Sequence, residues 1–139
     1  MDTRTIRILL VLALLLGGTA NFIDTAFPSL LSAPHQAAVA AQAAAFQTWS
    51  FGPTWLFLSL LLVLVTLVAA FGLWQLQTWG AWLGAVTTVA GFTLLLAGGS
   101  HSVSGVALAL AQLGAGLWFV VLAASFMRLR SASPVASAV

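Results

Sequence analysis

The chain of 139 residues contains no cysteine, lysine, glutamate or tyrosine, and only 4% of it is charged. Without cysteine there are no disulfides, thiolate metal sites, iron–sulfur clusters, covalently attached c-type haem or thiol–quinone chemistry. The shortage of charge excludes a water-soluble fold. Soluble domains are roughly 25% charged, and four arginines with two aspartates cannot clothe a chain that is 62% hydrophobic. A mean hydropathy of +1.13 makes lipid the solvent. The net charge of +2 and the pI near 11.5 would suit nucleic acid, but the arginines stand only at positions 4, 7, 128 and 130, which leaves no basic face for a phosphate backbone.

What the chain does have is apolar runs of membrane-spanning length. Four spans are expected, over about 6–23, 54–76, 79–97 and 103–127, in a single transmembrane domain covering 1–130. The first follows a short basic head. Gly18-Thr19-Ala20 would pass as a signal-peptide cleavage site, yet the run is long enough to cross roughly 30 Å of hydrocarbon at about 1.5 Å per residue, so a retained span is expected.

The organising stretch is 71–82, where Trp74, Trp79 and Trp82 surround the uncharged polar patch 75–78. Tryptophan collects at headgroup level, so this stretch reads as an interfacial turn between the second and third spans. The expected fold is therefore all-α and integral to a membrane: four transmembrane helices as two antiparallel hairpins, with a short extracytoplasmic Ala-rich helix in the outer segment 24–53. Asp24-Thr25-Ala26-Phe27-Pro28 opens that segment as a turn. Ser32 can cap the outer helix, Pro34 suits its first turn, and alanine propensity carries it over 37–46. Its apolar face, Val39, Ala43 and Phe46, is weak, and no basic residue flanks it. It should therefore rest on protein rather than on a membrane surface.

The third span carries Gly84, Thr87, Thr88, Gly91 and Thr93, and the fourth carries Gly105, Ala107, Ala109, Ala111, Gly114 and Ala115. Small residues let helix backbones approach closely where lipid removes the hydrophobic drive to associate, so Gly91 and Gly105 are expected at close contacts. A polar turn over 98–102 joins these spans, and 131–139 reads as a flexible tail. Arginine at both ends and none in the outer loops places the N and C termini in the cytoplasm. The elements Gly72-Leu73-Trp74 and Trp79-Gly80-Ala81-Trp82-Leu83 resemble turns of small four-span bacterial membrane proteins. That likeness implies a bacterial inner (cytoplasmic) membrane.

The titratable groups are Asp2, Asp24, His35, His101 and the arginines, none deep within an expected span. Ion and proton pumps mark their path with intramembrane charges, so neither transport of that kind nor enzymatic activity is expected. Gln112, about a third of the way into the fourth span, is expected to make an interhelical hydrogen bond, with ligand binding as the second reading. His101, at the outer mouth of the last hairpin, is either a turn histidine or an axial ligand to haem iron or chlorophyll magnesium. Asp24, His35 and His101 share the outer side, but their spacing does not demand a two-His-one-carboxylate centre, and no metal site is expected. Ser100, Ser102 and Ser104 beside His101 lack an orienting acid for a nucleophile triad.

The function expected from these features is that of a non-catalytic accessory subunit of a larger membrane complex, with a photosynthetic or respiratory assembly as host. Its partners are other membrane subunits and lipids, with no nucleic acid. No intrinsic cofactor is expected, though a lipid, quinone, chlorophyll-type pigment or haem at an interface is compatible with it. The alternative is a stand-alone carrier of an apolar ligand such as a quinone or lipid, bound between the third and fourth spans near Gly91 and Gln112.

Overall fold

The computed structural model describes residues 1–27, 29, 31–97 and 104–132. The described residues form no strand. They form helices α1 (Thr3–Ala26), α2 (Ala33–Thr48), α3 (Gly52–Trp74), α4 (Thr78–Ala97) and α5 (Gly105–Ala132). α1, α3, α4 and α5 are each long and apolar enough to cross a membrane.

Capping chemistry explains where these helices begin and end. Asp2 accepts a hydrogen bond from the Thr5 backbone N–H at 2.8 Å, so α1 starts before its apolar run does. At the other end of the α3 sequence, Leu76 takes a positive φ of 57°. The Leu76 N–H bonds Leu73 O at 3.0 Å and the Gln77 N–H bonds Gly72 O at 2.9 Å. This is the Schellman pattern, which ends α3 at Trp74, and leucine occupies the left-handed position where glycine is usual. The strain is held by the half-buried Leu76 side chain, which packs on the core.

The most extensive packing joins the first long helix to the last, a pairing of sequence-distant elements that hairpins between chain neighbours do not contain. A β-carbon on Gly114 of α5 would lie 2.8 Å from Gly17 N and 3.1 Å from Ala13 O of α1. Arg128 donates to Thr3 Oγ1 at 2.8 Å at one end of this pair. At the other end Ser104 bonds Asp24. α3 and α4 pair through glycines at their turn, where a β-carbon on Gly72 would stand 2.7 Å from Gly80 Cα and from the Trp79 ring. The two pairs meet where Trp118 Nε1 donates to Thr88 Oγ1 at 2.9 Å and where Gly84 faces Leu122 and Trp118. The core of Ile6, Leu10, Ala70, Leu73, Ala81, Val121 and Leu122 gathers toward the end that holds the tryptophan turn.

Three sequence expectations need correction. The turn expected to open at Asp24 starts later, because α1 runs on through Asp24 and Thr25 to Ala26, with Phe27 as its C-cap. The close glycine contacts are Gly72, Gly80, Gly84 and Gly114, whereas a β-carbon on Gly105 meets nothing within 4 Å and one on Gly91 meets only Leu62 Cδ2 at 3.5 Å. Every small residue is permissive, but only those at a crossing point are used. The helix expected over 32–48 is present as α2, yet no residue of it is buried. At its start Gln36 Nε2 donates to Leu31 O at 3.1 Å, and at its C-terminal end Phe46 meets Trp49 edge-on and Trp49 lies tilted against Trp55, with ring centroids about 6 Å apart. Ser32 makes no side-chain cap; its hydroxyl sits 3.4 Å from His35 Nδ1.

Candidate functional site

Along α5, Gly105, Ala109, Gln112 and Gly116 follow one another at intervals of four, three and four residues, so they share one face of the helix. All four are exposed. The opposite face carries Ala107, Gly114, Val121 and Ser125, which are buried, so the Gln112 face points away from α1. A β-carbon on Gly116 would meet nothing within 4 Å, which leaves a shallow surface where a second backbone can approach.

Gln112 stands in the middle of this surface, about 10 Å along the helix from Gly105. It makes no hydrogen bond among the described residues. Its amide offers two donors and a carbonyl acceptor. Several hydroxyls on the long helices are satisfied inside the chain. Thr87 and Thr88 donate to Gly84 O, Thr66 donates to Leu62 O, and the buried Ser125 donates to Val121 O. Gln112 is thus set apart by its length and polarity.

The remaining sequence candidates fall in different places. His101 lies outside the described residues, as do the turn over 98–102 and the tail from 133 onward. Gly91 faces Leu62 of α3, whereas Gln112 lies on the outer face of α5. His35 is exposed at the start of α2 beside Ser32. Among the described residues, no three His, Cys, Asp or Glu side chains come together.

Asp24 has a structural task that its own stretch of sequence does not show. One carboxylate oxygen accepts the Ser104 hydroxyl, and the other accepts the Ser104 backbone N–H at 2.7 Å. Ser104 Oγ in turn accepts the Ala107 N–H at 3.0 Å, which is an N-cap for α5. The carboxylate therefore joins the end of α1 to the start of α5, where the helix dipole favours negative charge. The partners are eighty residues apart, and only the pairing of α1 with α5 reveals them.

The opposite end of the bundle is basic. Arg7 Nε donates to Trp74 O at 3.1 Å, a carbonyl at the end of α3, and its guanidinium lies 5.1 Å from the Trp74 ring centroid. Arg128 is used on Thr3, while Arg4 and Arg130 are exposed. At this end the Asp2 carboxyl titrates below its ordinary value, because the Thr5 hydroxyl and backbone N–H hydrogen-bond its charged form.

Comparison of the chain with protein-family models, with curated proteins and with solved structures finds no match.

Proposed function

We propose that this chain is a non-catalytic accessory subunit of a larger membrane protein complex. In this reading it lies in a bacterial inner membrane as two antiparallel helix pairs, α1 with α5 and α3 with α4. Both termini and the tryptophan turn face the cytoplasm, and α2 lies outside.

One observation carries the proposal: Gln112, without a hydrogen-bond partner among the described residues, stands in the middle of an exposed small-residue face on α5. An amide left without a partner in hydrocarbon costs about 2–7 kcal/mol. A neighbouring transmembrane helix laid along Gly105, Ala109 and Gly116 removes that cost, because the small side chains admit its backbone close enough for Gln112 to hydrogen-bond across the contact. Two further features support the reading. α2 offers its length to a partner outside the bundle, and the long helices carry no intramembrane acid or base for a transport path of their own. An energy-transducing assembly, photosynthetic or respiratory, is the proposed host by analogy of architecture, since such assemblies gather small subunits of this kind.

The test is migration after gentle solubilisation. The chain should run with larger partners at fixed stoichiometry. Gly116→Leu should release it without harming its own fold, because a β-carbon there meets nothing within 4 Å among the described residues and the position is exposed. A wild-type chain that runs alone with a quinone or lipid bound would replace the subunit by a carrier.

A further inference from the structure

The described residues enclose a groove of about 590 Å³ on the outside of the helix bundle, between α1 and the end of α3. It is lined on α1 by Thr3, Arg4 and Arg7 and, further along the helix, by Ile8, Val11 and Leu12, with Trp74 contributed by α3. Ligand sites commonly measure about 300–1,000 Å³, so the groove is large enough to hold part of an amphiphile.

Three features define what it would hold. The first is uncompensated positive charge. Asp2 is the only carboxylate side chain at this end and is used in capping α1; Arg4 has no partner among the described residues, and Arg7 spends only its Nε on Trp74 O. The second is preorganisation. The bond to Trp74 O and the stack on the Trp74 ring fix the Arg7 guanidinium and leave its two outer nitrogens for an anion with paired oxygens, the geometry that suits phosphate. The third is depth. From Arg7 to Leu12 the helix rises about 7.5 Å, about half of the roughly 15 Å of hydrocarbon in one leaflet. Below the arginines, therefore, the groove is apolar for about half the length that an acyl chain occupies in that leaflet, enough to seat the upper part of one chain.

We propose that this groove is a binding site for an anionic phospholipid. The phosphate sits between Arg4 and Arg7, and one acyl chain lies along Ile8, Val11 and Leu12 against Trp74. The site rests on the chain's placement in a membrane but not on its membership of a complex. Its chemistry explains why two arginines are spaced three apart at the head of α1, on the face turned toward Trp74 rather than toward α5.

The experiment uses the full chain, purified and reconstituted into vesicles of phosphatidylcholine with a minor fraction of phosphatidylglycerol, then extracted in mild detergent for native mass spectrometry of retained lipid. Retained lipid should be enriched in phosphatidylglycerol over its share in the vesicle. Arg4→Gln should lower that enrichment about fivefold, as expected for one arginine at an anionic surface. Arg4 is exposed and makes no bond among the described residues, so its loss does not threaten the fold. Arg7→Gln should lower enrichment at least as far, with Arg7→Lys restoring part of it. Leu12→Trp, which fills the groove but keeps both arginines, should lower retention of both lipids. Millimolar inorganic phosphate should not displace the lipid. Retention that follows vesicle composition, or that ignores both Arg4→Gln and Leu12→Trp, overturns the site. Displacement by inorganic phosphate would make it a free-anion site and overturn the lipid assignment. A chain that fails to enter the vesicles at all removes the membrane reading, whereas one that enters without lipid preference removes only this site.

Discussion

Gly72 and Gly80 show how much a single hydrogen atom in place of a methyl group decides. A β-carbon on Gly72 would lie 2.7 Å from Gly80 Cα, and backbone cannot yield as a flexible side chain can. Gly72→Ala should therefore destabilise the chain by about 1–3 kcal/mol. Gly91→Ala, which meets only Leu62 Cδ2 at 3.5 Å, should stay within about 0.5 kcal/mol. Equal denaturation midpoints in mixed micelles would rule out the close crossing of α3 and α4. Asp24 offers a second test. Asp24→Ala strands the Ser104 N–H at the start of α5 and should cost about 1–3 kcal/mol. Asn at the same position keeps one acceptor and should cost less; the order Asn above Ala in the same titration is the expected result. Asp2 sets the acid limit of α1. Its folded-state pKa is lowered, so its capping contribution is fully present above the unfolded value and is lost as pH falls through the folded one. Amide exchange of Thr5, corrected for its intrinsic pH dependence, should accelerate on acidification only below the ordinary carboxylate range. Acceleration that begins near neutrality would contradict the Asp2 cap.

At the scale of elements, α2 and α5 are opposites. α5 is anchored along its length by Gly114 on α1, Trp118 on Thr88 and Ser104 on Asp24. α2 has no buried residue, and an aromatic attachment at Phe46, Trp49 and Trp55 ties its C-terminal end to the start of α3. Isolated helices of about fifteen residues are marginal in water. In the isolated chain, backbone amides of α2 should therefore exchange with deuterium orders of magnitude faster than those of α5, and protection should rise from the Ala33 end toward Thr48. Slow exchange across all of α2 without a partner would mean that it packs on the bundle after all. Alanine content made this helix legible, but the same uniformity hid its lack of a packing face, because a stripe of methyl groups looks alike on every side.

For the whole molecule, Arg128 on Thr3 and Arg7 on Trp74 O bring the start of α1, the end of α5 and the tryptophan turn to one end of the bundle. Asp24 and Ser104 join at the other end. If the arginines set orientation, reporter fusions at Gln77 and after Arg130 should both report the cytoplasm, and a tag at Gln42 the outside. Opposite sides for Gln77 and Arg130 would break the shared end that the structure builds.

The sequence by itself determined the solvent, the all-helical class and the four long apolar helices, because each follows from composition and run length, which are local properties. The tertiary structure alone decided that α1 pairs with α5, that Asp24 belongs to the cap of another helix, that Gly72 and Gly114 rather than Gly91 and Gly105 lie at the crossings, and that Gln112 is left outward. In a helix that is apolar all round, hydrophobic periodicity does not mark a face. Which small residues are used is then set by where two helix axes cross, a property of pairs of elements rather than of any one stretch.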